Sequence, residues 1–476
     1  MLFNSLLYLL FLAAVVGGSW ALVRWPTPRA LLLLLASCTF YMAWSPRYVL
    51  LILGAAAFDW AMARVIERTD DSQPVRRRAL MLASVAVNLG LLCYYKYVGF
   101  FAENFVALVK LCGFDVSLSI ARTVLPVGIS FFTFQSMAYV VDVWRREIPA
   151  ERSLWRFWLF ATFFPQLVAG PISRAHILLP QLHRNPVLRD DDVGEALFRI
   201  GRGLVKKVCI ADWLALNLVD RVFSNPGVYS GAEIMVGLYA YTLQIYCDFS
   251  GYTDIAIGSA RLLGITLPEN FNRPYRARTV AEFWRRWHMT LSTWLRHYVF
   301  FPLGGSKGSV WLAHRNTLIT LTLIGFWHGA NWTFVLYGLL HGVAIAVNRT
   351  QHRKMPKGWT HDQLPWASNL WRIALTFHFV VLARILFRCP TLQAAGDMVG
   401  HLFSNGAGLA RIDGGTWAVL ALGYAVHFAP PAWLEQLRIR FIALPGYAQG
   451  GVLSAAAAGM ALVAETDAVP FIYFQF

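Results

Sequence analysis

Apolar residues in this chain gather into long runs that recur from one end to the other. The runs lie near residues 2–23, 30–44, 48–66, 79–95, 97–111, 120–143, 154–170, 196–220, 231–262, 310–326, 331–347, 372–387, 416–430 and 441–463. A helix needs about 17–25 residues to cross a hydrocarbon layer ~30 Å thick, so the longer runs read as crossings and the shorter ones as tilted or re-entrant pieces. The pattern predicts an all-α polytopic membrane protein with about eleven transmembrane helices, joined by re-entrant and interfacial helices. There is no internal repeat, linker or low-complexity tract, and one integral membrane domain over 1–476 is the economical reading.

Two stretches interrupt the apolar pattern. Residues 165–207 carry prolines that break helices and charges that cannot face lipid. Residues 268–315 hold Phe283 to His297, "FWRRWHMTLSTWLRH", where arginines, histidines and tryptophans crowd together. As one helix, that segment aligns Phe283, Trp287, Leu291, Trp294 and Tyr298 in a stripe and puts Arg285, Arg286 and Arg296 on other faces. An amphipathic helix lying in the membrane interface would look like this, but it would have no need of His288.

Composition sharpens the picture. Of the 476 residues, 57% are hydrophobic and 14% charged, against roughly 25% charged in a soluble domain. The net charge of +16 falls in short loops between runs and does not indicate nucleic acid. Arg64, Arg68, Arg76, Arg77 and Arg78 mark a cytoplasmic loop by the positive-inside rule. Counting back, the loop with Arg24 and Arg29 is also cytoplasmic, and the N-terminus, read as a retained helix, is periplasmic. The acidic end, "AETDAVPFIYFQF", suits the outer face. The six cysteines form no C-x-x-C pair and read as small buried hydrophobes.

Ionisable residues inside apolar runs default to functional candidates. Asp248 and Asp254 flank Gly251, and a helix break there would bring them together; otherwise each pairs with a base such as Arg261. His328 follows an uninterrupted apolar run, between Trp327 and Gly329, with Asn331 three residues on. A desolvated neutral imidazole there suits general-base work, the small residues 329 and 330 would admit a substrate, and Asn331 suits orienting the ring or holding a carbonyl. The competing reading is a core histidine bonded to a backbone carbonyl, which is the reading given to His341, His378 and His427. Gly304 to Gly308, "GGSKG", matches G-x-S-x-G without the strand a nucleophile elbow needs, and reads as a turn. Asn331-Trp-Thr333 matches a glycosylation sequon inside an apolar segment and is discounted. No metal-ligand spacing occurs among the histidines.

Five motifs in order, "FFPQLVAGPI", "YCDFSGYTDIAIGSARLLGI", "PENFNRPY", "FWRRWHMTLSTWLRHYVFFPLGG" and "GFWHGANWTFVLYGLLHG", together resemble the membrane-bound O-acyltransferase family. The likeness is to its bacterial branch of alginate and exopolysaccharide O-acetylation proteins, runs from about residue 40 to about 350, and weakens beyond. It implies a catalytic core at 40–350, with C-terminal helices at 351–476 of separate role. It also implies that His328 is the catalytic histidine, with His288 as the second required one, in a segment that folds inward from the cytoplasmic side to line a funnel. Asn331 or His288 is the expected oxyanion stabiliser. Acetyl-CoA is the implied donor, a substrate and not a resident cofactor, steered by Arg285, Arg286 and Lys307, with Trp287 also lining its path. The implied location is the bacterial inner membrane, with membrane lipids and a periplasmic acetyltransferase as partners. Peptidoglycan O-acetylation and D-alanyl transfer stay open within the family. Outside it stands a channel or transporter using the buried Asp and His residues, although no repeated half supports that reading.

Overall fold

The computed structural model describes residues 1–118, 124–168, 170–356, 363–463 and 471–472; most of the acidic C-terminal stretch lies outside them. Every regular element among the described residues is helical. The chain divides into two compact units, Met1–Arg189 with Ser259–Pro268, and Asp190–Gly258 with Glu269–Phe476.

The first unit holds α1 (Leu6–Ala21), α2 (Pro26–Met42), α3 (Pro46–Arg68), α4 (Pro74–Leu92), α5 (Val98–Leu111), α6 (Ile129–Trp144), α7 (Leu154–Thr162), α8 (Phe164–Leu167) and α9 (Ala175–His183). Proline at the first turn starts α2, α3 and α4, where its missing N–H costs nothing. A π-turn, Cys93–Tyr97, joins α4 to α5, so two expected runs form one 38-residue apolar stretch, Pro74–Leu111. Polar groups inside this unit answer one another. Asp59 on α3 accepts from Ser84 (2.6 Å) and Asn88 (2.8 Å) on α4. Arg29, expected in a basic loop, is instead buried in the first turn of α2. It donates to Ser19 (2.9 Å) and to the Leu263 carbonyl (2.6 Å), so it carries no topological signal.

The second unit holds α10 (Asp190–Val205), α11 (Asp220–Ser224), α12 (Gly231–Leu262), α13 (Val280–Arg286), α14 (Met289–Leu295), α15 (Val310–His328), α16 (Trp332–Arg353), α17 (Trp366–Arg388), α18 (Leu392–Ser404), α19 (Gly414–Phe428), α20 (Pro431–Ile442) and α21 (Gly446–Val463). The last turn of α12, from Ser259, belongs to the first unit. α12 continues through Gly251, so Asp248 and Asp254 are not brought together. Gly251 serves a close helix approach, since a Cβ there would lie 2.8 Å from the Gly203 carbonyl oxygen. Asp254 takes Arg199 (3.1 Å), Arg202 (2.5 Å) and Lys206 (2.7 Å), and Asp248 takes Lys207 (2.7 Å). These carboxylates hold α10 and the turns after it to α12, in the structural role weighed for them, though with other partners than Arg261.

Among the described residues, three helices are long and apolar enough to cross a membrane: Pro46–Arg68, Pro74–Leu111 and Trp366–Arg388. The pair Gly414–Phe428 and Pro431–Ile442, bent by 92°, adds a fourth if counted as one span. Length and hydropathy thus do not confirm the expected eleven, because many helices of this fold are short, bent or rich in polar residues buried against protein.

Candidate functional site

Helix α15 ends at His328, whose position follows from how tightly α15 packs on α16. A Cβ on Gly325 would come within 2.1 Å of the Phe334 carbonyl oxygen, and one on Gly338 within 2.3 Å of the Leu321 carbonyl oxygen. Only glycine allows backbones that close. The imidazole of His328 is 3% exposed and lies between Trp327 (ring centroids 4.9 Å) and Phe387 (5.0 Å). Gly329 does not open the room for substrate expected of it, because the Phe334 ring occupies the space beside it. Asn331 caps α16: its Oδ1 accepts from the Thr333 N–H (2.9 Å) and its Nδ2 donates to the Pro390 carbonyl (2.6 Å). One N–H of that amide group remains for a further partner.

The stretch from Phe283 to His297 is two short helices and not one. Thr279 caps α13 by accepting from the Glu282 N–H (3.1 Å), and the helix stops after Arg286. His288 takes the left-handed conformation, φ 44° and ψ 54°, which is uncommon for any residue but glycine, though histidine tolerates it better than most. Long-range backbone bonds hold it there, with the Asn272 N–H donating to Arg286 O (2.9 Å) and the Met289 N–H to Asn270 O (2.9 Å). The aromatic positions do not lie on the surface as an interfacial helix requires. Trp287 and His288 are buried at 1% and 0% exposure, and Leu291 and Trp294 are buried as well.

The protonation of His288 can be read from its neighbours. The buried Asn270 Oδ1 accepts from the Thr290 backbone N–H (3.2 Å) and hydroxyl (2.9 Å), and it lies 3.1 Å from His288 Nδ1. The Thr290 N–H fixes that atom of Asn270 as oxygen, so Nδ1 must donate and Nε2 carries the lone pair of the neutral ring. The His288 ring meets the edge of Phe249 (4.8 Å) and lies 6.1 Å from Trp327. Trp327 therefore neighbours both candidate histidines.

The residues expected to meet the donor separate into two kinds. Arg285 is exposed, and so is Lys307, on a turn where Gly304, Gly305 and Gly308 all have positive φ. Arg286 is tied to Glu282 (2.7 Å). Trp287 is core, packed against Phe271 and Phe283, with the Arg384 guanidinium 4.6 Å from its ring. Arg384, fully buried on α17 and also over Phe387 at 5.3 Å, was missed in the sequence. Its signal was a lone cation inside an apolar run. Asn270 was missed too; it sits in "PENFNRPY", but its contact with His288 is long-range.

His341, His378 and His427, expected to be core histidines, have partners within the protein. His378 contacts the Ala374 carbonyl (2.7 Å) and the Tyr239 hydroxyl (2.8 Å). His427 Nε2 accepts from the Tyr275 N–H (3.3 Å), and His341 Nδ1 accepts from the Trp284 indole (3.2 Å), so neither uses the backbone carbonyl expected.

Comparison with known proteins places these residues in context. The model of the MBOAT, membrane-bound O-acyltransferase, family matches residues 145–388, which include both candidate histidines. The probable alginate O-acetylase of Pseudomonas syringae pv. tomato is 36% identical over 432 residues, covering 89% of this chain and 80% of that protein. The peptidoglycan O-acetyltransferase of Helicobacter pylori is 34% identical, covering 87% and 82%. A teichoic acid D-alanyltransferase of Streptococcus thermophilus is 30% identical, covering 55% and 68%. The likeness thus extends well beyond residue 350, where the motifs alone suggested it weakened.

Proposed function

We propose that this chain, which belongs to the membrane-bound O-acyltransferase family, moves an acetyl group from cytoplasmic acetyl-CoA across the bacterial inner membrane for O-acetylation of a polysaccharide such as alginate. It is an acyltransferase and a membrane protein; the donor, the direction and the acceptor are the proposal. The observation that carries it is the pair of buried imidazoles, His328 and His288, flanking Trp327 in a cage of aromatic rings.

His328 is the general base. The acceptor hydroxyl attacks the thioester carbonyl carbon, its proton passes to His328, and a C–O bond forms as the carbonyl oxygen becomes an oxyanion. The oxyanion then collapses, the C–S bond breaks, and CoA leaves as the thiol with the proton from His328. His288, with Nδ1–H directed to Asn270, offers Nε2 as an acceptor, which suits aligning the acceptor hydroxyl. While neutral it cannot donate to an oxyanion, and the remaining Nδ2–H of Asn331 is the better donor. Arg285 and Lys307, exposed and basic, steer the anionic donor at the mouth of a funnel whose floor holds His328. Arg286 supports α13, and Trp287 builds the wall with Arg384. A periplasmic acetyltransferase completes the esterification.

Peptidoglycan is the second acceptor to test, because the Helicobacter pylori enzyme covers this chain as fully as the alginate relatives do. The deciding measurement is O-acetyl ester in extracellular and wall polysaccharide from a strain lacking the protein, complemented with wild type or with His328→Ala at matched levels. Restoration by wild type alone supports the assignment, and the fraction that regains ester names the polymer. Equal restoration by both removes His328 from the chemistry.

A further inference from the structure

Away from the histidine pair, the first unit contains a cavity of about 670 Å³ between the loop before α7 and helix α9, lined in part by Arg152, Arg156, Arg184, His176 and His183. We propose that this cavity is a binding site for a phosphate anion, carried by a phospholipid headgroup or by a soluble phosphomonoester.

The charge is one-sided. Three arginines line the cavity against a single carboxylate, Glu151. Glu151 is buried and already engaged: Oε2 receives His183 Nε2 (2.7 Å) and Oε1 receives the Ser153 N–H (2.9 Å). Arg156 Nη1 lies 2.9 Å from His183 Nδ1. A guanidinium only donates, so Nδ1 accepts, and the proton of the neutral ring sits on Nε2, aimed at Glu151. The chain from Arg156 through His183 to Glu151 therefore satisfies the carboxylate and fixes the Arg156 guanidinium, which also lies over the Trp155 ring at 4.9 Å, so that its positive charge faces the cavity beside Arg152 and Arg184. Among the described residues, no carboxylate lies within 4.0 Å of Arg152 or Arg184.

The walls are held before any ligand arrives. Trp60 Nε1 donates to Glu151 O (2.8 Å), the Glu151 N–H to the Tyr139 hydroxyl oxygen (2.8 Å), and the Ala150 N–H to Glu67 (2.8 Å). A loop fixed this way loses little entropy on binding. The cavity also lies at the arginine-rich end of the unit. Arg77 donates to Trp144 O (2.8 Å), and Arg146 reaches Asp71 (3.1 Å). Guanidinium forks match phosphate oxygens two at a time, and anionic headgroups are concentrated at the basic face of a membrane protein. Ile148, Pro149 and Leu179 give the cavity an apolar wall beside the charges.

The test uses the full chain purified in detergent and measures bound ligand by native mass spectrometry. The probes are phosphatidylglycerol, phosphatidylcholine and inorganic phosphate, offered to wild type, to the double variant Arg152→Gln with Arg184→Gln, and to Arg184→Gln alone. Phosphatidylglycerol held in preference to phosphatidylcholine, with occupancy falling about ten-fold in the double variant, identifies a lipid headgroup. Inorganic phosphate bound by wild type and lost in the variants identifies a soluble phosphate. Binding of both anions unchanged by the substitutions, or absent from wild type, overturns the proposal. The thermal midpoint of each variant shows that it is folded, and the single variant, at an exposed position, decides the matter if the double one is not.

Discussion

At His288 the left-handed conformation is held by backbone bonds, while the tautomer of the ring traces to one side chain. The Asn270 carbonyl oxygen receives the Thr290 amide and hydroxyl and the His288 ring, and the Asn270 backbone oxygen receives the Met289 N–H. Replacing Asn270 with Ala leaves the backbone bond in place and frees the ring to take either tautomer. Asn270→Ala should then lower kcat by roughly 10–100-fold, within the range of a misplaced acid–base group, while KM for the acyl donor moves little. Steady-state kinetics on folded variant check this; a change confined to KM would assign Asn270 to donor binding instead. In the sequence His328 stood out because it ends an uninterrupted apolar run, and His288 because an interfacial helix has no need of a histidine. Asn270 did not, because an asparagine in a loop is ordinary and only the fold brings it to a histidine eighteen residues away.

At the scale of elements, the hairpin α15–α16 sets where His328 stands. Gly325→Ala places a methyl group against the Phe334 carbonyl, backbone that cannot turn aside, and forces the helices apart. It should destabilise the protein by about 1–3 kcal/mol and impair transfer. Gly396→Ala on α18, with nothing within 4 Å of the new Cβ, should instead be neutral or stabilising by up to about 1 kcal/mol. Thermal midpoints of the two variants side by side settle the matter, and equal shifts would remove packing as the cause. The apolar run and the sequence order made α15 and α16 legible. The stretch from Phe283 was not, because its stripe suits one helix and the break at His288 depends on backbone bonds to residues 270–272.

For the molecule as a whole, an all-helical membrane architecture was legible and the number of crossings was not. Polar residues that bind one another inside the protein make a helix such as α12, with Glu233, Asp248, Asp254 and Arg261, fail a test of hydropathy alone. Orientation rests on the positive-inside rule, and it makes a prediction. In a background with the exposed Cys112 replaced, Arg285→Cys should react with an impermeant maleimide in inverted vesicles and not in spheroplasts. The reverse pattern would turn the protein over and place the donor's entrance outside.

The salt bridges of Asp254 also impose an order on biogenesis. Helix α10 brings Arg199 and Arg202, followed at once by Lys206 and Lys207, all of them partnered by carboxylates on or near α12. As it leaves the ribosome, α10 has its own acids, Asp190, Asp191, Asp192 and Glu195, towards its N-terminal end, while Arg199 and Arg202 lie further on and precede their partner Asp254; an apolar phase disfavours charges held apart in this way. Asp254 follows 55 residues after Arg199. Full burial of α10 is therefore expected to follow synthesis of α12: Arg199→Cys should stay reactive to a water-soluble maleimide in a nascent chain that stops before Asp254 and become protected in the complete chain, and equal protection in both would remove the ordering.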